Sequence, residues 1–182
     1  MSEDKELKEL YSNVNSILKK INVKDIDPEK DFDKNPDGYY LTEVVSLEVC
    51  TSKKSGNLQV AGQFKIVENG IGVNVDDDGE QDFFELKNTK GKTIFKYYPM
   101  TDESQVTKLI KDMLKFTDED GKSILDEEYF SDIEIMKEAL SILTEERIYI
   151  HLYSYTNKTT KETNQNSNLI TWKRASDIGL ID

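Results

Sequence analysis

A single cysteine, Cys50, and a single histidine, His151, occur in the whole chain, and their scarcity excludes a good deal of chemistry. A lone cysteine closes no disulfide within the chain. No CxxC or Cys/His spacing exists from which tetrahedral zinc could be held, so structural zinc is excluded and a reducing compartment is expected. No GxSxG elbow and no phosphate-cradling glycine loop are present, and His151 has no evident Ser or Cys partner in sequence, so neither catalysis nor a cofactor is expected. Cys50, at the end of an extended stretch, reads as a small packing residue. No apolar run approaches bilayer length, and the opening MSEDKELKEL is charged rather than built like a signal peptide, which leads us to expect a cytoplasmic protein with no membrane partner.

Positive charge is also short: 24 Lys and Arg against 36 Asp and Glu leave a net charge of −12. Phosphate contacts need clustered cations, so the average argues against nucleic acid. The distribution is less uniform. Acid concentrates in residues 76–82 and 102–146, whereas residues 51–67 carry Lys53, Lys54 and Lys65 with no acid, and residues 87–98 carry Lys87, Lys90, Lys92 and Lys96 with none. An acidic body with a locally basic face is compatible with that pattern.

Leu7, Leu10, Val14, Ile17, Leu18 and Ile21 recur at helical spacing and predict an amphipathic N-terminal helix. Residues 25–38 hold Pro28 and Pro36 among charges and read as a linker, so residues 1–37 are expected to be helix plus linker and residues 38–182 the main domain. There, YYLTEVVSLEVC reads as a strand with Leu41, Val45, Leu47 and Val49 on one side, SKKSGN as a turn, and NLQVAGQFKIVEN as the returning strand, with Leu58, Val60, Phe64 and Ile66 inward and Gly62 at a bulge or bend. DFFELKN and KTIFKYYPM are further extended candidates with ambiguous faces. Asp102 is placed to cap a helix striped by Val106, Leu109, Ile110, Met113 and Leu114, and a second helix over residues 131–143 would bury Ile135, Met136, Leu140 and Leu143. A strand over the aromatic stretch, a polar loop at residues 157–168 and a last strand with Ile170 and Trp172 complete the order. Strands interrupted once by helix match a mainly β fold with helices: a five-stranded OB-fold-like Greek-key β-barrel, with a helical insertion between strands 3 and 4 and an added N-terminal helix. A generic α+β sandwich is the alternative.

The stretch RIYIHLYSYT alternates Ile148, Ile150 and Leu152 with Tyr149, His151, Tyr153 and Tyr155, so a strand there buries aliphatics and displays rings. Bases stack on displayed rings while Lys and Arg follow the phosphates. Tyr149, Tyr153, Tyr155 and Trp172 are the expected platforms; Lys65, Lys96, Lys173 and Arg174 are the expected charges, and Lys53, Lys54, Lys158 and Lys161 sit in the two flanking loops. The competing reading packs each tyrosine under a helix with its hydroxyl reaching water. Asn74, Asp76, Asp78, Gly79 and Glu85 obey the spacing of a calcium loop, but with strand-like flanks, so a solvated acidic loop outweighs calcium.

DGYYLTEVVSLEVCTSKKSGNLQVAGQFKIVENG resembles the opening hairpin of the phage-encoded OB-fold single-stranded DNA-binding proteins of low-GC bacterial hosts. VTKLIKDMLKF is similar to that family's helix after the third strand, and EALSILTEERIYIHLYSYTNKTTKETNQNSNLITWKRASDIGL to its final hairpin and end, so most of residues 38–180 is covered. The resemblance implies coating of exposed single strands in replication or recombination with no chemistry performed. It also implies that Lys53 and Lys54 match the first-loop basic positions and that Tyr149, Tyr153, Tyr155 and Trp172 lie on the base-stacking hairpin. Many relatives recruit partners through an acidic tail; ASDIGLID departs from that with only Asp177 and Asp182. The N-terminal helix, an addition to the minimal fold, suits homo-oligomerisation or contact with replication or recombination proteins, for which the acidic surface is a second candidate. The rival expectation is an acidic protein that mimics nucleic acid and blocks a basic host protein.

Overall fold

The computed structural model describes the backbone of residues 2–25 and 34–182, which divide into two compact units, Met1–Lys34 and Asn35–Asp182. Most of the expected linker, residues 26–33, lies outside the described residues. The first unit is the helix α1, Ser2–Lys20, with a 3₁₀ turn at Val23–Asp25. Its apolar stripe, Leu7, Leu10, Val14, Ile17, Leu18 and Ile21, is exposed along its full length.

The second unit is mainly β: one antiparallel sheet of seven strands carrying helices. The strands are β1 (Gly38–Thr51), β2 (Leu58–Ile66), β3 (Gly70–Val75), β4 (Gln81–Leu86), β5 (Thr93–Pro99), β6 (Arg147–Thr156) and β7 (Thr163–Ile170). The helices are α2 (Glu103–Met113), α3 (Ile133–Ile142) and the short α4 (Trp172–Asp177). At 14 residues, β1 is long enough to serve as the spine. Its first half pairs with β6 along one edge, its second half pairs with β2 along the other, and β3 meets the β2 edge through Tyr39 and Ile71. β5 and β7 extend the two wings by pairing with β2 and β6.

Five strands therefore become seven, because the DFFELKN segment folds back on β3 as a hairpin instead of extending the main wing. The closed barrel also needs correction. Among the described residues β5 and β7 form no ladder with each other, so the sheet is open between its wings. Trp172 is not in the last strand: the side chain of Thr171 accepts a bond from the Arg174 amide and starts α4 there.

The register corrects the inward face of β1. A bulge between Val44 and Ser46 puts Val45 out into solvent, and Tyr40, Thr42 and Val44 point inward before it while Leu47 points inward after it. Thr42 can be buried because its hydroxyl donates to the Ile148 carbonyl at 2.8 Å. Gly62 is unbulged; the irregularity lies across the pair, on β1. The core joins Val60, Phe64 and Ile66 of β2 to Ile148, Ile150 and Leu152 of β6, and is closed by Leu109 and Met113 of α2 and Met136 and Leu140 of α3. Both α2 and α3 are capped by a carboxylate: Asp102 accepts from the Gln105 amide, and Asp132 from the Glu134 and Ile135 amides. Ile135 and Leu114, expected inward, are exposed because they stand off the buried stripe at the helix ends.

Tyr40 fills the corner where β3 leaves β1. It is fully buried, and its hydroxyl donates to the Pro36 carbonyl at 2.6 Å. Burial, reinforced by the negative charge of Asp37, pushes its pKa up to about 12. Gly70 lies against the ring, where an added Cβ would come within 2.3 Å of a ring carbon. Gly70→Ala should therefore lower stability by about 1–3 kcal/mol, since a ring pinned at its hydroxyl cannot swing away. A urea midpoint at or above that of the parent protein would contradict this packing.

Candidate nucleic-acid interface

Because β6 directs Ile148, Ile150 and Leu152 inward, Tyr149, His151, Tyr153 and Tyr155 are directed to the outer face of the sheet. The register sets Tyr39 of β1 opposite His151, and Ile170, Asn168, Asn166 and Asn164 of β7 opposite Tyr149, His151, Tyr153 and Tyr155. The result is a row of rings bordered by amides. Tyr39 and His151 are stacked, their centroids 4.2 Å apart and their planes 10° from parallel. Tyr153 follows with its centroid 5.4 Å from that of His151. Tyr155 ends the row at 47% exposed, whereas Tyr149 at the other end is only 3% exposed because α4 lays Trp172 against its edge at 5.7 Å. One end of the row is sealed and the other open.

Asp37 holds the open end in register. One carboxylate oxygen accepts from the Ser154 amide at 2.7 Å; the other accepts from the Ser154 hydroxyl and from the Gln165 side chain of β7. Partial desolvation works to raise the Asp37 pKa, but these bonds, led by Gln165 and Ser154, outweigh it and hold the carboxyl below its usual range. His151 is displaced in its own way: burial between the tyrosines disfavours the cation, Asp37 opposes this only in part, and the pKa falls below 6.5. The imidazole is thus a neutral flat ring at pH 7.

The expected residues scatter across the domain. Tyr153 and Tyr155 share the open row, and Tyr149 is covered. Trp172 is half-buried on α4, with Lys173 and Arg174 exposed beside it. Lys53 and Lys54 are exposed in the β1–β2 turn, and Lys158 and Lys161 in the β6–β7 turn. That turn is shorter than expected, since the second half of the polar stretch is strand. Lys65 is exposed on the outer face of β2, opposite Glu43.

Lys96 is the clear correction. The alternation of β5 puts it on the inner face with Ile94 and Tyr98, where only 15% of its side chain is exposed. Its ammonium donates to the Ser167 carbonyl at 2.7 Å and hydroxyl at 3.0 Å, lies 4.0 Å from Asp112, and sits 5.3 Å from the Tyr98 ring centroid. A cation so occupied is structural.

The fold adds three outer-face rings that sequence pattern does not single out. Tyr39 carries no signal beyond its place at the start of a strand, and Phe95 and Tyr97 belong to a stretch whose face is ambiguous. On β5 they stand opposite Gln63 and Ala61, 59% and 57% exposed. The polar Gln63 opposite Phe95 is the available signal, but only the register makes it legible.

The calcium spacing falls on the β3–β4 hairpin, where Asn74 pairs with Asp82 and Ile71 with Glu85. Asp76 turns its carboxylate onto the Asp78 and Glu80 amides to close the turn. Among the described residues no three His, Cys, Asp or Glu side chains converge on a metal position. Also among the described residues, no helix is long and apolar enough to cross a membrane. No protein-family model matches the chain and no curated protein matches it in sequence.

The depressed His151 pKa has a direct consequence. Between the folded pKa and 6.5 the unfolded chain binds the extra proton, so stability present above pH 6.5 is lost as pH falls through the folded value. His151→Phe keeps a ring against Tyr39 and removes that proton. The drop in urea midpoint between about pH 7.5 and pH 5.5 should be smaller in the variant than in the parent; an equal drop contradicts the assignment.

Proposed function

We propose that the chain is a non-enzymatic single-stranded DNA-binding protein of a phage or mobile element, coating exposed strands in replication or recombination. The observation that carries this reading is the row Tyr39, His151, Tyr153 and Tyr155: flat rings, open toward Tyr155, bordered by strand asparagines and running toward a turn with Lys158 and Lys161. Aromatic faces accept any base, which suits binding without strong sequence preference. Phe95 and Tyr97 on the other wing add two rings above a β2 face that carries Lys65.

Topology supports the same reading. Strands β7, β6, β1, β2 and β5, in that order across the sheet, with helices crossing between β5 and β6, follow the connectivity of a five-stranded OB-fold, a barrel that is often only partly closed. In this assignment the β3–β4 hairpin is an insertion. The exposed stripe of α1 is the proposed surface for self-association or for a replication partner.

A second reading keeps the acidic body as the active surface. Asp76, Asp77, Asp78, Glu80 and Asp82 are all exposed at the tip of the β3–β4 hairpin and could present a phosphate-like array to a basic protein. A poly-dT titration at two salt concentrations separates the two readings. The DNA-binding reading expects saturable binding at low salt, with detectable affinity remaining at higher salt because stacking does not depend on counterions. Tyr153→Ala together with Tyr155→Ala should weaken it by about 1–3 kcal/mol for each base that loses its platform. Absence of binding at low salt removes the proposal and leaves the acidic reading.

A further inference from the structure

The open seam between β5 and β7 is not flat. A cleft of about 820 Å³ lies there, walled by β5, α2 and β7. Four lysines, Lys96, Lys108, Lys111 and Lys115, line it against one carboxylate, Asp112, in a chain whose net charge is −12. Asp112 is already committed: it pairs with Lys115 at 2.8 Å and accepts the Tyr98 hydroxyl at 2.8 Å. Lys96 and Lys115 are also committed, to the Ser167 and Leu169 carbonyls. Lys108 and Lys111 are different. They are exposed, three residues apart on one face of α2, and among the described residues neither has an ion-pair partner. They form a ridge between this cleft and a shallower hollow that adds one acid, Glu103.

The seam also has the right neighbours. Tyr97 stands on its β5 wall, next to Phe95 on the same face. Asn166 and Asn168 stand on its β7 wall, directly opposite Tyr153 and His151 in the ladder. The cleft therefore borders both groups of outer-face rings, and a single strand that passes from one to the other by way of β7 crosses it.

We propose that this cleft is a phosphodiester-binding site, in which Lys108 and Lys111 neutralise backbone phosphates of a single strand while Asn166 and Asn168 offer amide donors from the facing wall. The inference deepens the DNA-binding reading and rests on it. It assigns cationic roles to two residues of α2, a helix whose stretch of sequence belongs to the acidic part of the chain.

The test uses the full chain carrying Lys108→Gln and Lys111→Gln together, titrated with poly-dT over a range of salt. Removing one cation from a phosphate of a single strand lowers the slope of log affinity against log salt by about 0.7, so the slope of the double variant should be shallower by about 1.4, with weaker binding at low salt. Both side chains are exposed, so the urea midpoint should not change, and a matched variant, Lys19→Gln with Lys20→Gln in α1, alters net charge equally at residues that do not line the cleft. An unchanged slope in the cleft variant, or an equal change in the α1 variant, overturns the assignment while leaving DNA binding in place. Failure of the parent protein to bind poly-dT at all is the separate result that overturns the function itself.

Discussion

The fold depends on what happens where the ladder stops. β5 and β7 are both edge strands, and an edge left open exposes unpaired backbone groups that invite other strands. Here two lysine ammoniums do part of the work of a missing ladder: Lys96 reaches from β5 to the Ser167 carbonyl, and Lys115 reaches from the end of α2 to the Leu169 carbonyl. Asp112 sits between them and accepts the Tyr98 hydroxyl as well. Burial lowers the Lys96 pKa, Lys115 adds to that, and Asp112 restores part of it. A partly buried cation is costly alone; supplied with a carboxylate, a carbonyl and a hydroxyl, it becomes a directional tie.

That tie decides which surfaces remain free. With α2 drawn against the seam through Tyr98 and Asp112, its apolar residues Leu109 and Met113 enter the core and Lys108 and Lys111 are left outside. The same arrangement keeps β7 within reach of β5 without pairing them, so the amides opposite the aromatic row border a cleft instead of a third strand. At the far end α4 covers Tyr149 with Trp172, which limits the open part of the row to the segment from Tyr39 and His151 to Tyr155. Structure and candidate site are consequences of the same few contacts.

Much of this is legible from period alone. The alternation of β6 places its rings outward, and the stripes of α2 and α3 place most of their apolar residues inward, because both patterns are local and repeat several times. What escapes depends on pairing. The bulge at Val45 reverses the face of β1 over a single residue, and nothing in VVSLEVC marks it. Lys96 looks like a surface cation because its inward direction follows from pairing with Gly62, which has no side chain to mark the face. Trp172 reads as strand because Leu169 and Ile170 before it are strand, while the helix cap at Thr171 is a single hydroxyl. Phe95 and Tyr97 share a stretch with Ile94, Tyr98 and Pro99 that is apolar on both faces, so only the partner strand distinguishes the wet side.

For the proposed DNA-binding role an acidic protein is an unexpected carrier of phosphates, and range resolves the conflict. At physiological ionic strength the screening length is about 8 Å, so a phosphate seated on Lys108 or Lys111 interacts with those ammoniums and with Asp112 or Glu103 far more than with distant carboxylates. The acidic hairpin and helices then act mainly at low salt, when screening is weak and their repulsion reaches the incoming strand. Lowering the salt therefore strengthens the local contacts and the body's repulsion together, and the net salt dependence is shallower than a count of lysine contacts alone would give. Stacking carries no such penalty. Under the proposed DNA-binding role, a chain of net charge −12 would draw most of its affinity from a row of neutral rings, with a few well-placed cations setting the path of the strand rather than supplying its grip.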